Sequence, residues 1–134
     1  MAVEVQFLNP PGLAQFKTFS HVATARGGKT VYISGQVSWN EKGEVVHAGD
    51  LKAQAVQVFE NLKTALAAAG ASYDNVVKFT AYVVNLKPQD RLTISEVRSR
   101  YVKSANPPAS TMIGVQALVS EGLLLEVEAV AVVD

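Results

Sequence analysis

The stretch Asp50-Leu51-Lys52-Ala53-Gln54-Ala55-Val56-Gln57-Val58-Phe59-Glu60-Asn61-Leu62-Lys63-Thr64-Ala65-Leu66-Ala67-Ala68-Ala69-Gly70 decides the architecture. Asp50, preceded by Gly49, is a strong N-cap, because its carboxylate accepts from the unpaired N–H groups of a first helical turn. Leu51, Ala55, Val58, Phe59, Leu62, Leu66 and Ala69 then recur at helical spacing and share one stripe. Gly70 supplies the residue past the C-cap that closes many helices. A helix with one apolar side needs a surface to pack on.

The flanking segments supply that surface. Val76 to Val84 reads as a strand with Val77, Phe79, Ala81 and Val83 on one side. Val31-Tyr32-Ile33-Ser34-Gly35-Gln36-Val37 is a second β-branched and aromatic run, in which Gly35 marks either a bulge or a close backbone approach. Phe19 to Ala25 is expected to be extended, ending at Gly27-Gly28, and Asn40-Glu41-Lys42-Gly43-Glu44 forms a hairpin-like turn. A second helix is expected after Pro88, with Ile94, Val97 and Tyr101 on one face. It must stop by Asn106-Pro107-Pro108, because a residue before proline is pushed out of the helical region. Ala109 to Leu118 alternates Thr111, Ile113 and Val115 against Ser110, Met112 and Gly114. Leu123 to Val133 is apolar except for Glu126 and Glu128. The resulting order is β-β-α-β-α-β-β, which predicts a single α+β domain over 1–134 with both helices on one face of a mixed sheet. The other face is also rich in apolar residues and has no third helix to cover it, so an oligomer is expected.

Composition excludes several classes of function. The 134 residues carry 12 basic and 12 acidic side chains, spread without runs, so the basic footprint of a nucleic-acid binder is missing. With no cysteine, disulfides, thiolate catalysis and cysteine-based zinc sites are excluded. His21 and His47 form no metal-ligand cluster, so no metal site is expected. Ser20 and His21 are not a catalytic dyad, since adjacent strand residues point to opposite faces. No apolar run approaches the ~20 residues of a membrane span. Met1-Ala2-Val3-Glu4-Val5-Gln6 lacks the basic and apolar parts of a signal peptide, so a cytoplasmic protein is expected.

Glu126 and Glu128 lie two apart on a strand and so share a face. In an apolar strand a glutamate must reach solvent, a partner charge or a cleft. Either one of the pair lines a pocket, positioning water or a substrate proton, or both lie on a solvated face. Neither a phosphate loop nor a dinucleotide fingerprint is present.

Six segments, in order along nearly the whole chain, together resemble the RidA/YjgF family, labelled in places "endoribonuclease L-PSP". They are Phe19-Ser20-His21-Val22, Gly28-Lys29-Thr30-Val31-Tyr32-Ile33-Ser34-Gly35-Gln36, Gln54 to Leu62, Val76 to Val83, Pro107-Pro108-Ala109-Ser110-Thr111 and Leu125 to Ala131. The resemblance implies a chorismate-mutase-like α+β fold with a mixed six-stranded sheet. It also implies a homotrimeric barrel with three clefts between subunits, each holding a small-molecule ligand. Family members of the deaminase type hydrolyse enamine and imine intermediates such as 2-aminoacrylate, without cofactor or metal. An arginine clamps the substrate carboxylate and a glutamate places the water.

On this resemblance the glutamate maps onto Glu126, the pocket glycine onto Gly35, and the cleft tyrosine onto Phe19, which lacks the hydroxyl. The clamp arginine is replaced by Ser110, followed by Thr111. A hydroxyl cannot form the charged fork that a carboxylate prefers. Arg98 stands at about the position of a second cleft contact: either it restores the positive charge from another direction, or it is an exposed helical arginine. The expected function is binding of an imine, enamine or 2-oxo-acid metabolite, with weak hydrolysis of 2-aminoacrylate and a different physiological substrate. The alternatives are a non-catalytic ligand-binding or chaperone-like trimer and, third, an endoribonuclease or translation inhibitor.

Overall fold

The computed structural model describes residues 2–103 and 105–134; Met1, the first residue of the stretch read for a signal peptide, and Ser104 lie outside it. Six strands and two helices follow one another as β1 (Glu4–Leu8), β2 (Val22–Arg26), β3 (Lys29–Gln36), α1 (Leu51–Ala68), β4 (Val76–Val84), α2 (Pro88–Ser99), β5 (Ala109–Val115) and β6 (Leu125–Val133). A short 3₁₀ turn, Tyr73–Asn75, leads into β4. The six strands divide into two sheets. β1 and β2 form an antiparallel pair, and the other four lie in the order β3-β6-β4-β5. The larger sheet is mixed, because β4 and β5 run parallel and the other pairings are antiparallel.

The capping residues behave as their chemistry demands. The Asp50 carboxylate accepts from Ala53 N–H at 3.1 Å. At the other end Gly70 has φ +74°, and the amides of Gly70 and Ala71 donate to the carbonyls of Ala67 and Leu66. This is the double closure that a left-handed residue permits. The stripe of α1 packs on β3 and β6. Phe59, Leu62 and Leu66 are buried against Ile33, Phe79, Leu125 and Val127, with Ile94 and Val97 of α2 beside them.

Three sequence expectations need correcting. The N-terminal strand β1 was not anticipated; it is the partner that makes Val22–Arg26 a strand. Helix α2 ends at Ser99, well before the prolines. Pro107 fixes only the latest possible end, whereas the chain turns earlier: Tyr101 and Val102 both donate to the Arg98 carbonyl, and Tyr101 stacks on Phe59 at 5.5 Å. In β4 a register shift between Val76 and Lys78 breaks the alternation, so Val76, not Val77, is the buried residue.

The second face of the four-stranded sheet carries no helix, and it mixes apolar side chains, Val130 among them, with polar ones. Tyr32, 80% exposed, and Ile113, 42% exposed, share it with Lys78, Thr80, Tyr82, Glu126 and Glu128. No helix among the described residues is long and apolar enough to cross a membrane.

Candidate functional site

The candidate residues fall at two places, one toward each edge of the four-stranded sheet. At the β3 edge, the register slips between Ile33 and Gln36, and Gly35 sits in the slip. A methyl group on Gly35 would fall 2.6 Å from Cδ and 2.8 Å from Cγ of Glu126. The glycine is therefore in a bulge, and it yields its side-chain space to Glu126. An open groove of about 880 Å³ lies alongside, lined by Ser34, Gly35, Gln36, Trp39, Gln57 and Asn61 among others. Its wall is fixed by amides. Asn61 Nδ2 donates to the carbonyls of Val37 and Trp39 at 3.0 and 3.1 Å, and Gln57 Nε2 donates to Asn61 Oδ1 at 2.9 Å.

Glu126 is half-buried on the uncovered face. Desolvation, and secondly the charge of Glu128 on the same face, hold its carboxyl above the usual carboxylate range. Glu128 accepts a hydrogen bond from the Tyr82 hydroxyl, which leaves Glu126 as the carboxylate beside the glycine.

At the β5 edge, Arg98 reaches from the last turn of α2 to Ser110. Its Nη1 donates to Ser110 Oγ at 3.1 Å, its Nη2 donates to the Thr18 carbonyl, and its Cζ lies 5.7 Å from the centre of the Phe79 ring. Burial lowers the pKa of this guanidinium. No carboxylate lies within ion-pair distance of it among the described residues, where the one such pair is Arg100–Glu96 at 2.9 Å. A half-buried cation with no counter-ion among the described residues is costly, and the Phe79 face and two oxygen acceptors offset only part of that cost.

Phe19 follows the Thr18 carbonyl that Arg98 grips. Its backbone is carried along β5 by Ser20, whose amide donates to Pro108 O at 3.1 Å and whose hydroxyl donates to Pro107 O at 2.5 Å. Thr111 is separated from Ser110. It points to the uncovered face, where Lys78 Nζ donates to its Oγ1 at 2.7 Å. Lys78 is a cation that sequence reading passed over; a lysine in the run Val76 to Val84 looks like a solvated position, and only the parallel register of β4 and β5 brings it to Thr111. His21 binds the Ala14 carbonyl through Nε2 at 2.5 Å, and the carbonyl of His47 accepts from Gln54 Nε2 at 3.0 Å. Neither histidine is paired with another titratable side chain in these contacts. No group of three or more metal-ligating side chains occurs among the described residues.

Glu126 and Gly35 are thus joined, and so are Arg98, Ser110 and the Phe19 segment. Within one chain the two groups stay apart. Ser110 lies on the helix-covered face and Glu126 on the other, two strands away in the order β6-β4-β5, which is about 10 Å at ordinary strand spacing.

Comparison with known proteins places this arrangement. The family model described as "Endoribonuclease L-PSP" matches residues 12–133. The chain is 36% identical over 114 residues to Protein DfrA of Myxococcus xanthus, covering 85% of this chain and 84% of that one. It is 36% identical over 104 residues to the human 2-iminobutanoate/2-iminopropanoate deaminase, covering 78% and 73%. A crystal structure of a Yersinia pestis protein of unknown function from the conserved Rid family superposes with a TM-score of 0.89 at 40% identity, covering 96% of this chain and 98% of that one. Family model, sequence relatives and fold agree, and the chain belongs to the RidA/YjgF family.

Proposed function

We propose that this protein binds a small 2-imino or 2-enamino acid between two copies of itself and hydrolyses it to the 2-oxo acid and ammonia. The observation that carries the reading is the division of the site between two sheet edges. Glu126 with Gly35 stands toward the β3 edge and Arg98 with Ser110 and Phe19 at the β5 edge, too far apart in one chain for one small ligand. Packing the β5 edge of one copy against the β3 edge of the next unites them, and a closed ring of such head-to-tail contacts is a homotrimer in the simplest case the family resemblance suggests.

In the united site the substrate carboxylate meets the guanidinium of Arg98, which has no counter-ion among the described residues. Ser110 then serves as an acceptor that orients the guanidinium, and Thr111 with Lys78 lines the neighbouring face. An enamine first tautomerises to the imine; water then adds to the imine carbon while Glu126 takes one of its protons and passes it to the imine nitrogen. The remaining hydroxyl proton is transferred to the amine as the C–N bond breaks, so ammonia leaves and the carbonyl forms. A raised carboxyl pKa suits a residue that must both take and return a proton. The bulge at Gly35 gives the carboxylate room at the β3 edge. RNA cleavage, the activity in the family model's description, has less support: the His21 ring is bound to the Ala14 carbonyl, and the net charge is zero.

The test is release of 2-oxo acid from imines generated in situ by an amino-acid oxidase. The wild type accelerates it. Arg98→Ala loses about 30- to 1000-fold, the equivalent of about 2–4 kcal/mol of charge-assisted hydrogen bonding. Binding of 2-oxo acids without acceleration of any imine would replace the hydrolase with a ligand-binding protein.

A further inference from the structure

Three residues away from Phe19, Phe16 presents its ring to solvent, 53% exposed. The two rings stack at 5.0 Å and 23°, and the His21 ring meets Phe19 edge-on at 5.4 Å. An exposed phenylalanine on a loose loop would be unremarkable, but this segment is fastened, and Phe19 beneath Phe16 is half-buried. His21 N–H donates to Asn9 Oδ1 at 2.9 Å, His21 Nε2 pairs with Ala14 O at 2.5 Å, and Gln15 Nε2 donates to Leu13 O at 2.8 Å. A pre-ordered aromatic surface left open to water is what a recognition site costs and uses.

Its place in the fold says what it recognises. The carbonyl of Thr18, one residue before Phe19, is an acceptor for Arg98. A carboxylate held by that guanidinium therefore lies beside the chain segment that carries Phe19. The other direction is closed. Behind the guanidinium, between Phe79, Ile94, Ser110 and Met112, only about 20 Å³ is free, room for one water and no side chain. A substrate anchored at Arg98 cannot place its side chain there and must lay it outward, on the side of the chain segment that Arg98 grips.

We propose that the stacked Phe16–Phe19 pair is the side-chain subsite of this protein and selects imino acids with aromatic or large apolar side chains over those with a methyl group. This rests on the assignment of Arg98 as the carboxylate anchor.

The experiment compares the imines of phenylalanine and alanine, made by D-amino-acid oxidase from the D-amino acids, and measures kcat/KM for each with the full-length protein. The expected preference for the phenyl imine is about tenfold or more, and Phe16→Ala reduces the ratio of the two by about tenfold, as loss of one ring-on-ring contact would. Calorimetric titration with phenylpyruvate and pyruvate reads the same preference where no turnover occurs. Tighter binding of phenylpyruvate, lost in Phe16→Ala, supports the subsite even if the hydrolase reading fails. Equal kcat/KM for the two imines, or equal affinity for the two oxo acids, overturns it. So does a Phe16→Ala variant whose solution mass changes while the substrate ratio stays put, since the rings would then be covered by another copy of the chain.

Discussion

Replacing Gly35 by alanine tests the closest approach in the site. The added methyl would stand 2.6 Å from Cδ and 2.8 Å from Cγ of Glu126, where unstrained carbon contacts are about 3.5–4.0 Å. About an ångström of overlap must be relieved, and Glu126 is the group able to move. Its side chain swings off the bulge, or the bulge spreads and pulls β3 from β6. Overpacking of this kind costs about 1–3 kcal/mol. Because Gly35 does not have a positive φ, no further backbone penalty is expected for alanine. The assay is a double-mutant cycle in urea with Gly35→Ala, Glu126→Ala and the pair. With the carboxylate chain removed, the methyl enters vacated space, so the second Gly35→Ala should cost less than about 0.5 kcal/mol and the coupling should exceed about 1 kcal/mol. Additive costs would refute the contact. The same variant should lose imine turnover even where it stays folded, because the carboxylate that receives the proton has been turned away.

Further outcomes follow from the charges. Glu126 is harder to ionise in the folded chain than in the unfolded one, so the folded state binds the proton more tightly. Its effect on stability is therefore absent at low pH and becomes unfavourable as pH rises from the unfolded value, about 4.3, through the higher folded one. NMR titration of its side-chain carbonyl should give a midpoint above about 4.3, and Glu128→Gln should bring that midpoint down; an ordinary midpoint in the wild type would remove the electrostatic argument. Ser110→Arg alone would set a second guanidinium beside Arg98 and should destabilise by about 1–3 kcal/mol. The exchange variant, Ser110→Arg with Arg98→Asn, relieves that repulsion and should turn over 2-aminoacrylate faster than the wild type; a slower exchange variant would mean that the guanidinium's direction of approach matters more than its presence.

What could be read from the sequence was what neighbouring residues decide among themselves. Asp50, the apolar stripe and Gly70 define α1 because capping and periodicity are local. The alternation of Ser110, Met112 and Gly114 against Thr111, Ile113 and Val115 is borne out by the register of β5 with β4. Reading failed where a distant partner decides. Val22–Arg26 becomes a strand through Glu4–Leu8, and the bulge that exchanges Val76 for Val77 is set by β6. The contact between Arg98 and Ser110 spans two elements that no periodicity connects, and family resemblance alone pointed at both residues. Lys78 beside Thr111 lay beyond both routes.

The division of the site between two copies can be tested directly by subunit mixing. Glu126→Gln and Arg98→Ala are each expected to be inactive alone. Co-refolded in equal amounts, they should regain about a quarter of wild-type activity, since about one in four interfaces then pairs an intact Glu126 with an intact Arg98. Activity that stays at the level of the separate variants would contradict a shared site and place both residues' roles within a single chain.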